Sequence, residues 1–125
     1  MTTRDHLALA RELARRGEPA LDEFELALPA TSHDLEDAAR AAVRANAPDR
    51  AMLWLERALT QDRERIREID RLAGEGLAEG EVSSLRAERL RLVRRWIRAR
   101  FDESFEPLHA REAFTRLIAR TRPYQ

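Results

Sequence analysis

Apolar residues recur along this chain at spacings of three and four, the repeat of a helix with one buried face, and no stretch shows the sustained alternation that a strand needs. The first such stripe is Leu7, Ala10, Leu13 and Ala14, in a helix expected from about Arg4 to Arg16, with Thr3 as its cap and Gly17 as its stop. Glu18-Pro19 opens a second, short helix with Leu21, Phe24, Ala27 and Leu28 turned inward, and Pro29 ends it. Thr31 or Ser32 caps a third, running to about Asn46, with an acidic first turn (Asp34, Glu36, Asp37) that suits the positive end of the helix dipole and an inner face made mostly of alanine.

After the break at Ala47-Pro48-Asp49, where Asp49 is a candidate cap, Met52, Leu55, Leu59, Asp62, Ile66, Ile69 and Ala73 form the seam of a long helix packed along a neighbour. Gly74, Gly76 and Gly80 predict a turn. A strongly apolar helix follows with Val82, Leu85, Leu90, Leu92, Val93, Trp96, Ile97 and Phe101 on its stripe. A short link through Ser104 then leads to a last helix, from about Pro107 to Arg120, burying Ala110, Ala113, Phe114, Leu117 and Ile118. The expectation is an all-α, single-domain bundle of about six helices, with two hairpins over residues 1–62 and a longer hairpin plus a C-terminal helix over residues 63–125.

At a shift of 31 residues the chain aligns with itself: Ala8 with Ala39, Ala20 with Ala51, Phe24 with Leu55, Ala27 with Ala58 and Leu28 with Leu59. The pattern Ala8…Ala20…Phe24…Ala27-Leu28, repeated as Ala39…Ala51…Leu55…Ala58-Leu59, resembles the tetratricopeptide repeat over about residues 4–62. The resemblance implies a helical-repeat scaffold that binds a peptide or protein partner. The sequence departs from that family in its period, which is roughly 34 there, in carrying Arg4 and Leu35 at the aromatic positions and Arg11 and Ala42 at a position that is usually large, and in having no third copy.

Composition narrows the chemistry. With 125 residues, 43% hydrophobic and 37% charged, the chain is globular and the size of one domain. It has no signal-peptide core at its start and no apolar run near the roughly 20 residues that span a bilayer, so cytoplasm is the expected location. The absence of cysteine removes disulfides and thiolate chemistry, and because all 23 basic residues are arginine there is no lysine for a Schiff base or a phosphate loop. Formal net charge is zero but unevenly spread: residues 1–80 hold 12 Arg against 17 acids, and residues 81–125 hold 11 Arg against 6. The two ends should attract each other, or different partners.

Catalytic and metal-binding patterns are missing. His6, His33 and His109 lie in separate segments without helical ligand spacing, and Ser32, Ser83, Ser84 and Ser104 fall at caps and turns. The carboxylate pairs Asp22-Glu23 and Glu36-Asp37 are expected on solvated faces. No cofactor, metal or enzymatic activity is therefore expected.

Asp62 is the exception among the acids, since it interrupts an apolar seam. A buried carboxylate requires a partner, and folding residues 49–73 against 81–101 points to Arg89. Arg91, Arg94, Arg95 and Arg98 follow the i, i+3, i+4, i+7 pattern and predict an outer ridge that meets nucleic-acid phosphates, an acidic protein surface or water. Trp54 lies off the seam, either covering a second core face or standing exposed as an interface anchor, while Trp96 belongs to the core. These features favour a protein-interaction or regulatory adaptor module, with a nucleic-acid binder as the alternative. The seam from Met52 to Ala73 also offers itself to a homodimer.

Overall fold

The computed structural model describes residues 1–123. They form α1 (Thr3–Arg15), α2 (Leu21–Ala27), α3 (Ser32–Arg44), α4 (Pro48–Ala73), α5 (Glu79–Phe101), a 3₁₀ turn (Glu103–Phe105), α6 (Glu106–His109) and α7 (Glu112–Arg120), with no strand among the described residues.

Local chemistry accounts for the boundaries. Thr2, one residue earlier than expected, caps α1: its hydroxyl accepts from the Asp5 amide at 3.2 Å while the Asp5 carboxylate accepts from the Thr2 amide at 3.0 Å, a reciprocal box that needs a side-chain acceptor at the third helical position. Thr31 caps α3 through the Asp34 amide. Asp49 is not the cap of α4, because Pro48 occupies the first turn, where a missing amide proton does no harm. Gly17 and Asn46 take positive φ just beyond α1 and α3, and Leu28 does so at the end of α2.

Helices α1 and α2 make one hairpin, α3 and α4 a second, and α4 and α5 a third, longer one that shares α4. The main core is built where alanine lets helices approach closely: Ala38, Ala39 and Ala42 of α3 meet Ala51, Leu55, Ala58 and Leu59 of α4, with Phe24 and Leu35 filling the larger gaps. Phe105, Leu108, Phe114, Leu117 and Ile118 close this core from the C-terminal side.

The final segment is two helices instead of one continuous one. Extended backbone at Arg111 separates them, so that Leu108 and Phe114 both reach the core while Ala110 and Ala113 face solvent. Helix α4, about 39 Å long at 1.5 Å per residue, outruns this core. Its distal half carries Ile66 and Ile69 against Leu92, with Leu85 and Val93 at the margin, as a second and smaller cluster.

The α4 seam is thus covered inside the chain, from Leu55 through Ile69, by α3 and α5, and only its end residue Ala73 is exposed. Three residues expected on the inner stripe of α5 point the other way: Leu90, Ile97 and Phe101 are 48%, 40% and 66% exposed. Leu28 is also exposed, and so is Ala8, whereas their counterparts at the 31-residue shift, Leu59 and Ala39, are buried.

Candidate functional site

Where α3, α4 and α5 cross, the core contains charge. Arg95 of α5, predicted as part of an outer ridge, is buried. Its Nε donates to Glu36 at 3.1 Å, and its Nη1 donates to Ser32 Oγ at 3.1 Å and to both Asp62 oxygens at 3.1 and 2.9 Å. Asp62 therefore has its arginine partner on α5, but that partner is Arg95 and not Arg89. The hairpin register explains the correction, for Arg89 lies level with Asp70 and donates to it at 2.9 Å. Moving two turns back along α4 to Asp62 moves nearly two turns forward along α5, to Arg95.

Glu36 is the hub of the cluster and contradicts its expected solvation. It is 2% exposed and accepts four hydrogen bonds: one each from Arg40 and Arg95, and a bidentate pair from Arg98 at 2.9 and 2.8 Å. A carboxylate has about four lone-pair sites, so the group is saturated. The network continues outward through Arg40 and Asp37 to Arg11, which also pairs with Asp34, so α1, α3, α4 and α5 are tied by one chain of ion pairs.

The two buried acids are displaced from their ordinary ranges in opposite directions. Burial opposes the charge on Glu36, but the Arg98 hydrogen bond and the charges of Arg40, Arg98 and Arg95 outweigh it, and its carboxyl lies below the ordinary glutamate range. For Asp62 burial prevails over Arg95 and the Ser32 hydroxyl, and the nearby Glu36 charge adds to it, raising its carboxyl above the ordinary aspartate range. Chemically the cluster orients helices: arginine stays protonated at any ordinary pH, and every acid in it is engaged by guanidinium.

The predicted ridge is consequently divided. Arg95 and Arg98 belong to the interior network, whereas Arg91 and Arg94 are exposed, and Arg94 makes no hydrogen bond or ion pair among the described residues. The outer face of α5 presents Leu90, Arg94, Ile97 and Phe101 in a line, with Arg100 stacked over the Phe101 ring at 4.9 Å. Helical spacing alone could not assign these residues to a face, because α5 is apolar on two sides and only its packing on α4 shows which side is inner.

Trp54 is core, 3% exposed and capped by the Arg50 guanidinium at 5.5 Å, so it is no exposed anchor. Trp96 is buried as expected, its indole N–H donating to the Ile118 carbonyl. His6 pairs with Glu23 at 2.7 Å, His33 lies near Asp37, and His109 packs against Phe114. The described residues contain no group of three acids or histidines arranged to hold a metal ion, and no helix among them is long and apolar enough to cross a membrane.

Glu36, expected in the acidic first turn, is the fifth residue of α3 and lies beyond that turn, where Asp34 is the acid that serves the dipole. The signal for Glu36 was its place one turn from buried Ala39 and from Arg40, at the edge of the alanine face. No protein-family model matches this chain, and no curated protein or solved structure matches it.

Proposed function

We propose that the chain is a non-catalytic protein-interaction module of regulatory or adaptor kind, using residues 4–62 as a repeat-like scaffold and the outer face of α5 as its contact surface. The observation that carries this is the exposure of Leu90, Ile97 and Phe101 along one line of a helix whose opposite face is locked into the core by Trp96, Ala99 and Arg95. Large side chains aligned at helical spacing and left outside a finished core mark a surface that is covered by something else.

The nucleic-acid alternative loses ground on the same helix. Two of its four arginines, Arg95 and Arg98, are spent on Glu36 and Asp62, which leaves only Arg91 and Arg94 of the expected ridge on the outer surface. Self-association through the α4 seam has lost its surface, since the seam is filled within the chain.

The test is capture from native lysate by the tagged chain, compared with Ile97→Ser/Phe101→Ser and with a Leu53→Ser control on α4. The double variant is expected to lose a captured protein that the control retains. Identical capture by all three would remove α5 as the contact surface.

A further inference from the structure

We infer that the occupant of the α5 outer face is an amphipathic helix from another protein, with a carboxylate-flanked apolar stripe. This rests on the interaction reading above and adds the chemistry of the partner.

The first observation is spacing. Leu90, Arg94, Ile97 and Phe101 succeed one another by four, three and four residues, the interval of a helix-packing seam, over about 16 Å of helix. The same interval on α4, from Leu55 to Ile69, is filled by helices in this molecule. On α5 an equivalent seam faces outward and is covered by no described residue enough to bury it.

The second observation is charge. Between Arg89 and Phe101 there are six arginines and no acid. Asp70 engages Arg89, and Glu36 and Asp62 engage Arg95 and Arg98. Arg91 and Arg94 are left on the outer surface, Arg100 beside Phe101, and Arg86 stands one turn before Leu90.

Together these select among occupants. A second copy is disfavoured: overlap of the seam with itself that brings Leu90, Ile97 and Phe101 into contact also brings arginine against arginine, with no carboxylate between Arg89 and Phe101 to separate them. Nucleic acid would answer Arg91 and Arg94 but leave Leu90, Ile97 and Phe101 facing phosphate and water. A lipid surface would answer the apolar residues, yet Arg94 lies in the middle of their line and would be drawn toward hydrocarbon with them. A helix with glutamate or aspartate beside its own apolar seam satisfies both sets of groups, and a single arginine within the seam fixes its register.

The experiment uses the full chain and two fluorescent peptides with the same leucine seam, one flanked by glutamate and one by lysine, read by anisotropy, with phosphatidylserine-containing vesicles in a sedimentation arm. The glutamate peptide should bind at least about tenfold more tightly than the lysine peptide, the result of a few flanking pairs each contributing a fraction of a kcal/mol. Arg94→Glu should weaken that preference, and Ile97→Ser/Phe101→Ser should abolish binding while the protein still melts cooperatively, because Phe101 is mostly exposed and Ile97 is only partly covered. Equal or better binding of the lysine peptide, no response to Arg94→Glu, or sedimentation with vesicles in place of peptide binding overturns the inference. If the glutamate peptide fails while lysate capture still depends on Ile97 and Phe101, the acidic-helix inference falls and the interaction reading stands; if both fail, both fall.

Discussion

Leu28 sits at φ 49° and ψ 60°, a left-handed conformation that a residue with a Cβ resists, with 71% of its surface exposed. It closes α2, where its amide donates to the Glu25 carbonyl and the chain must turn before Pro29. Leucine here strains the backbone by about 1–2 kcal/mol, and glycine would relieve it while adding about 0.5–1 kcal/mol of unfolded-chain entropy. Leu28→Gly is therefore expected to raise stability by roughly 0.5–1 kcal/mol, visible as a higher urea midpoint with an unchanged slope. A lower midpoint would mean that the side chain's contacts beside Pro29 and Trp54, in the shallow groove they line, outweigh the strain. Nothing in the sequence marks this position, since Leu28 reads as one more member of an inward stripe.

Helix α5 shows why one element can mislead. Its stripe contains eight apolar residues, enough for two faces, and periodicity alone cannot say which of them meet α4. The structure turns Leu92, Trp96 and Ala99 inward and leaves Leu90, Ile97 and Phe101 outside. Toward the glycine turn α5 has little else to bury: Leu85 and Val93 are only partly covered, and the distal halves of α4 and α5 are held by the small cluster of Ile66, Ile69 and Leu92. The Arg65–Glu88 pair, at 2.7 and 2.8 Å, and the Arg89–Asp70 pair add surface electrostatics of modest value.

The end of this arm should therefore open independently of the core. Amide exchange is expected to be fastest in residues 70–86 and slowest around Leu55 to Asp62. Ile66→Ala, by creating a cavity costing about 2–5 kcal/mol, should speed exchange throughout the arm more than in α3. Uniform protection along α4 would show instead that the long hairpin unfolds with the rest.

Across the whole molecule, the acidic first two thirds and the basic last third meet inside one fold. Arg95 and Arg98 reach Glu36, Arg111 reaches Asp49 and Arg120 reaches Glu56, so the attraction expected from the charge distribution is satisfied within the chain. The buried part of this pattern gives stability a distinct pH dependence. Glu36 has a lowered carboxyl, so its contribution is complete above the ordinary glutamate range and is lost as pH falls through its folded value. Asp62 has a raised carboxyl, so its contribution is complete below the ordinary aspartate range and is lost as pH rises through its folded value.

In urea titrations across the acid range, Glu36→Gln should flatten the acid loss of stability and Asp62→Asn should steepen it. At neutral pH Glu36→Gln should also lose about 1–3 kcal/mol, because the charge-assisted bonds to Glu36 weaken while Arg95 keeps Asp62 and Arg40 keeps Asp37. Parallel pH profiles for the three proteins would show that these carboxylates do not govern the transition.

The all-helical fold, the break at Pro48, the glycine turn and the burial of Trp96 and Asp62 are legible from local pattern, because helix periodicity, capping and breaking act over a few neighbouring residues. The identity of Asp62's partner, the burial of Glu36, the division of the arginine ridge and the outward turn of Ile97 and Phe101 are not. Each depends on how far α5 slides and rotates against α4 and α3, and that is settled by the packing of Trp96, Phe105, Leu108 and the alanine faces together. A shift of a single turn would hand Asp62 a different arginine while leaving every helix as it is, so only contacts between residues far apart in the chain can choose among the registers.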